Sequence, residues 1–83
     1  MRLLYFAWVK EKAGIAAEEI EPPEGVATVA ELIDWLKSRG PEFANAFARA
    51  EVIRAAVDRN HVRHDARIAG AREIAFFPPV TGG

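Results

Sequence analysis

The chain has no cysteine. Disulfides, thiolate metal ligands and a cysteine nucleophile are therefore excluded together. Ser38 is the only serine and sits in a stretch that reads as helix with no histidine nearby, so a Ser-His-Asp arrangement is not expected. The only histidines, His61 and His64, lie near Asp58 and Asp65 in a segment that reads as a turn. Without a third well-placed ligand they suit a solvated loop, and no metal is expected. The glycines at 14, 25, 40 and 70 are isolated, so no glycine-rich phosphate loop is present. Leu3 to Val9 is short, rich in aromatics and followed by Lys10-Glu11-Lys12, which suits a first strand better than a signal-peptide core. No run is long enough to span a membrane, so a cytoplasmic location is the expectation.

What remains is one domain's worth of chain: 83 residues, 51% hydrophobic. A net charge of −1 argues against a nucleic-acid binder, which needs a basic footprint. The charge is uneven, with five Lys/Arg against eight Asp/Glu in residues 1–42 and six arginines against four acids in residues 43–83. A solvated face and a docking site for an acidic partner both fit this bias.

Residues 2–9 alternate as two apolar sets, Leu3-Tyr5-Ala7-Val9 and Leu4-Phe6-Trp8, which predicts a strand covered on both faces. Lys10 to Ala17 predicts a short helical turn, and Glu18 to Glu21 a second strand that Pro22-Pro23 ends. Glu18-Glu19 reads as a wet strand end rather than an acid-base pair. Thr28-Val29-Ala30-Glu31 has the form of a capping box opening the main helix. Val29, Leu32, Ile33 and Leu36 form its apolar stripe, and Trp35 covers its edge. Gly40-Pro41 predicts a left-handed stop near Arg39. Phe43 and Phe47, four residues apart, suggest a second short helix closing the domain edge over 42–49. Val52 to Asp58 reads as a central strand, Asp58 to His61 as a hairpin turn, Val62 to Ile68 as an irregular strand and loop, and Glu73 to Phe77 as the last strand. The order is ββαβββ, an α+β domain over residues 1–77.

Beyond it, residues 78–83 form an expected flexible arm. Pro78-Pro79 imposes an extended course. With Val80 and Thr81 following, the arm to Gly83 spans roughly 20 Å when extended. Gly82-Gly83 gives the narrowest chain, suited to a tight channel. A terminal carboxyl with a pKa of about 3.5 is a carboxylate near neutrality, a poor electrophile until activated.

Glu73-Ile74-Ala75-Phe76-Phe77-Pro78-Pro79-Val80-Thr81-Gly82-Gly83 resembles the C-terminal signature of the molybdopterin synthase small subunits, a family of ubiquitin-like sulfur carriers. The opening Leu3 to Gly14 is also similar to that family's first strand and turn, while the middle matches only in pattern. The resemblance implies a β-grasp fold with the first and last strands parallel and adjacent. It also implies that an E1-like adenylating enzyme uses ATP on Gly83, and that a sulfurtransferase or cysteine desulfurase supplies sulfur to give a thiocarboxylate. Without cysteine, the tail is the only candidate carrier of that sulfur. The arm (Pro78, Pro79, Val80, Thr81 and Gly82) would then enter the large subunit of a heterotetrameric synthase, which holds the catalytic side chains, and pass sulfur to cyclic pyranopterin monophosphate. No cofactor is expected on this chain.

If Leu3, Tyr5, Ile53, Val57, Ile74 and Phe76 face the helix, alternation sends Phe6, Trp8, Arg54 and Phe77 to the opposite side. With His61 they make the expected partner interface. Two departures from the family stand out. Gly70-Ala71-Arg72-Glu73 replaces a Gly-Asp-Glu turn, and His61 stands where relatives carry an aliphatic residue. Two alternatives stay open: a carrier of the thiazole-forming branch, and a binding module captured through its C-terminus.

Overall fold

Residues 1–79 are described by a computed structural model. The first strand, β1 (Arg2–Tyr5), is shorter than the alternation predicts. Phe6 stays extended (φ −123°, ψ 153°) and its N–H still donates to Phe76 O at 3.0 Å, but Ala7 turns to φ 53° and the chain enters helix α1 (Ala7–Ala13). The predicted strand over 2–9 is thus corrected. Val9 and Ala13, four apart, are both buried, so the run satisfies a helical period as well as an alternating one. Gly14, left-handed at φ 87°, ends α1 by donating its N–H to Lys10 O.

Strand β2 (Ala17–Glu19) pairs antiparallel with β1 and stops before the prolines. The capping box is present as read: Thr28 accepts from the Glu31 amide, and Glu31 Oε1 accepts from the Thr28 amide at 3.1 Å. Helix α2 (Val29–Lys37) buries the expected stripe of Val29, Leu32, Ile33 and Leu36. It ends at an ordinary right-handed Ser38, so the expected left-handed stop at Gly40 is corrected. Gly40, at φ 155° and ψ 173°, caps the start of α3 (Pro41–Ala46) instead, and Pro41 opens that helix, where its missing N–H costs nothing.

A short 3₁₀ turn, Ala50–Val52, leads into β3 (Arg54–Val57), β4 (Asn60–Val62) and β5 (Glu73–Phe77). The two-residue hairpin between β3 and β4 places Asp58 and Arg59 at φ 48° and 72°, the twist that matches paired strands. The sheet order is β2-β1-β5-β3-β4, with β1 and β5 parallel and the other pairs antiparallel. This is the β-grasp arrangement, α+β, with β5 in the middle and β3 beside it.

The core lies between one sheet face and the helices. Leu3, Tyr5, Ile53, Ala55, Ile74 and Phe76 meet the α2 stripe there, joined by Val9, Ala46, Phe47 and Ile68. Phe47 is fully buried, with its ring 5.2 Å from Phe76 and 6.4 Å from Tyr5. It is a centre of the core rather than a cover for its edge.

Candidate functional site

The strand register lays out the sheet face away from the helices. One row across all five strands runs Ala17, Leu4, Ala75, Ala56, His61. Three alanines in that row keep it shallow, and Ala56 is buried beneath its neighbours. On one side lies a charged row, Glu19, Arg2 and Glu73. On the other, Phe77 stands opposite Arg54. The His61 ring meets Phe77 edge-on at 5.2 Å, so the polar residue at the aliphatic position packs on the last aromatic of the strand.

Arg54 and Phe77 are thus brought together as the alternation predicts; His61, expected in the hairpin turn, lies instead in β4 and joins them there, because the turn is only the two residues Asp58 and Arg59. Phe6 joins them: its extended backbone continues the β1 ladder one step past the Tyr5–Phe76 pair, and its side chain is 48% exposed. Trp8 does not. It lies on α1, half-buried against the periphery of the core, with Lys12 Nζ 5.0 Å from its ring centroid. The left-handed turn at Ala7 carries it off the sheet face.

The proposed arm begins at this end of the sheet. β5 carries Pro78 and Pro79 out from between β1 and β3, and Pro79 lines a cleft of about 390 Å³ with Val52, Ile53, Arg54, Val62 and Arg63. Both prolines are half-buried. The expectations for Val80, Thr81, Gly82 and Gly83 lie outside the described residues.

The histidine pair is split by the fold. His64 Nε2 is 2.8 Å from Ile53 O, and because a carbonyl only accepts, that nitrogen carries the proton. Among the described residues, no group of three or more His, Asp or Glu side chains has the geometry of a metal site.

Two arrangements were not visible in the sequence. Glu18, expected at a wet strand end, accepts from the Tyr5 hydroxyl and from Arg39 Nη1, both at 2.7 Å on the same oxygen, Oε2. Partial burial pushes the Glu18 carboxyl up, but the bonds from Arg39 and Tyr5 outweigh it and hold the carboxyl below its ordinary range. Arg39 in turn stacks over Trp35 and Phe43, at 5.1 and 4.7 Å. The second is Asp58, whose Oδ1 accepts from the amides of Arg72 and Glu73 at 2.9 and 3.0 Å. A carboxylate from the β3–β4 turn thus organises the altered Gly70–Glu73 turn from outside it. An aspartate at a hairpin and a glutamate on a strand are the only local signals either arrangement leaves.

The sequence model of the ThiS family matches residues 3–83. The molybdopterin synthase sulfur carrier subunit of Haemophilus influenzae is 30% identical and that of Escherichia coli 34%, each over 100% of this chain and 99% of the relative. Among solved structures, SAMP1 from Haloferax volcanii superposes with a TM-score of 0.72 at 25% identity, covering 100% of this chain and 98% of that one. A Pyrococcus furiosus protein provisionally described as molybdopterin converting factor subunit 1 does so at 0.73 and 31%, covering 95% of each chain.

Proposed function

Because this chain belongs to the ThiS family, we propose that it carries sulfur for molybdopterin synthase on the α-carboxylate of Gly83. The observation that carries this reading is the full-length similarity to two sulfur carrier subunits of that enzyme. The position of Pro78-Pro79 directly after β5, the middle strand, supports it, because it roots the arm at one end of the sheet.

The chemistry follows from the carboxylate's poor electrophilicity. An E1-like enzyme spends ATP to form the acyl-adenylate of Gly83, releasing pyrophosphate. The outer sulfur of a persulfide, supplied through a sulfurtransferase or cysteine desulfurase, attacks the carbonyl carbon; a C–S bond forms, the C–O bond to phosphate breaks and AMP leaves. A second thiol of the donor then cleaves the S–S bond, releasing the thiocarboxylate and leaving the donor as a disulfide. The resulting thiocarboxylate enters the large subunit and gives its sulfur to cyclic pyranopterin monophosphate. Water restores the carboxylate for another round, and two deliveries build the dithiolene. Glycine at 83 leaves the carbonyl unhindered, and Gly82 keeps the arm slender. Phe6, Arg54, His61 and Phe77 form the docking face, while the catalytic side chains belong to the large subunit.

Incubation with ATP, the activating enzyme and a sulfur donor tests this by mass spectrometry, which should show one sulfur-for-oxygen exchange at Gly83. Deleting Gly83 should leave the fold and docking intact and abolish molybdopterin formation. Sulfur loading that supports thiazole formation instead would assign the chain to the other branch. No loading at all would leave a module recognised only through its terminus.

A further inference from the structure

The cleft at the root of the arm has an unbalanced charge. Its floor is apolar, from Val52, Ile53, Val62 and Pro79, with His64 tied down through Ile53 O. Its rim carries two exposed guanidiniums, Arg54 and Arg63, and one acid, Glu51. Glu51 is already committed to Arg49, at 3.5 Å. Among the described residues, neither Arg54 nor Arg63 takes part in an ion pair.

Resting on the carrier reading, we propose that this cleft docks an acidic segment at the mouth of the large-subunit channel that receives the arm, pairing Arg54 and Arg63 with its carboxylates. Pro79 lines the cleft and is the second residue of the arm, so a protein that takes the arm to its end would bring the mouth of its channel against these arginines. Covering them with an apolar or basic surface would strip their hydration without compensation. A carboxylate answers a guanidinium in bidentate geometry, and an apolar residue beside it fits the floor. The arginines thereby set which partner the arm enters, by charge at the rim rather than by contacts along the arm.

The test is the equilibrium binding of this full-length chain to the large synthase subunit of the same organism, measured by calorimetry across a range of salt concentrations. The variants are Arg54→Glu/Arg63→Glu and, as a control for charge reversal outside the cleft, Arg59→Glu at the exposed tip of the β3–β4 hairpin. The double variant should bind at least about ten-fold more weakly at low salt and lose most of the salt dependence. Arg59→Glu should bind within about two-fold of the parent under the same long-range screening. Thermal unfolding of all three chains checks that the fold is kept. Unchanged affinity in a folded double variant, or equal losses in both variants, would overturn the proposal while leaving the carrier reading intact. Tight binding by all three chains without sulfur loading at Gly83 would overturn the carrier reading too. Failure of the parent chain to bind would overturn the docking proposal outright.

Discussion

The Tyr5 hydroxyl donates to Glu18 Oε2 at 2.7 Å, so the one phenol in the core reaches the edge of the sheet and ends on a carboxylate. Tyr5 is only 1% exposed, and burying its oxygen without a partner would be costly. The bond joins β1 to β2, and Arg39 extends it to the end of α2. Glu18 is therefore a structural joint between three elements.

Tyr5→Phe removes the donor and leaves the ring packing on Phe47 and Phe76 unchanged. We expect a loss of about 1–2 kcal/mol, between the usual values for a neutral hydrogen bond and for one to a charged group. In a domain this small that lowers the melting midpoint by roughly 4–15 °C. Circular dichroism melting of the two chains decides it, and an unchanged midpoint would show that the bond contributes nothing net.

The same joint sets the pH limits of stability. Glu18 is held below its ordinary value of 4.5, so its contribution is full above that pH and is lost as pH falls through the lower, folded-state value. Glu31, held low chiefly by the Ala27 amide, adds to the same acid limb. Burial, followed by the bond to Glu18, raises Tyr5 far above its ordinary 10.0, so its neutral form favours folding up to that pH and the advantage erodes above it. Urea midpoints measured against pH should show a plateau with both limbs. In Glu18→Gln the acid limb should flatten.

Asp58 combines an acceptor role with a left-handed backbone. Asp58→Ala loses both bonds to the Arg72 and Glu73 amides and places alanine at φ 48°, so we expect about 1–2 kcal/mol of destabilisation. Asp58→Asn keeps an oxygen acceptor and tolerates the angle, and should stay within about 0.5 kcal/mol of the parent. Chemical denaturation of both variants separates the two effects. Equal losses would show that the charge itself, rather than the acceptor geometry, organises the turn.

Ala75 lies at the middle of the open face, between Leu4 and Ala56. Ala75→Arg projects a long charged group from a row of small residues without entering the core. Binding to the large subunit should weaken by about ten-fold or more, equivalent to about 1.4 kcal/mol, with the melting midpoint little changed. Undiminished binding would place the docking face elsewhere on the domain.

Much of this was legible along the chain because the signals are local. The Thr28–Glu31 box closes within four residues, and the last strand falls at Glu73–Phe77, the residues the sequence marks for it. The open-face residues Arg54 and Phe77 follow from alternation, whereas His61, read as a turn residue, is placed there only by its pairing with Ala56. Residues 6–9 were misread because a short apolar run fits both periods, and only the turn at Ala7 selects the helical one. Gly40-Pro41 was misread because the pair that ends one helix can equally open another.

Local chemistry thus determined the capped helix and the last strand, since each depends on residues a few positions apart. The tertiary structure decided what depends on pairing across distance: β5 between β1 and β3, Phe47 in the core, Glu18 shared by Tyr5 and Arg39, and Arg54 and Arg63 gathered in one cleft with Pro79. A side chain's neighbours across a sheet are set by strand order and register, and neither is written in the spacing of residues along a single strand.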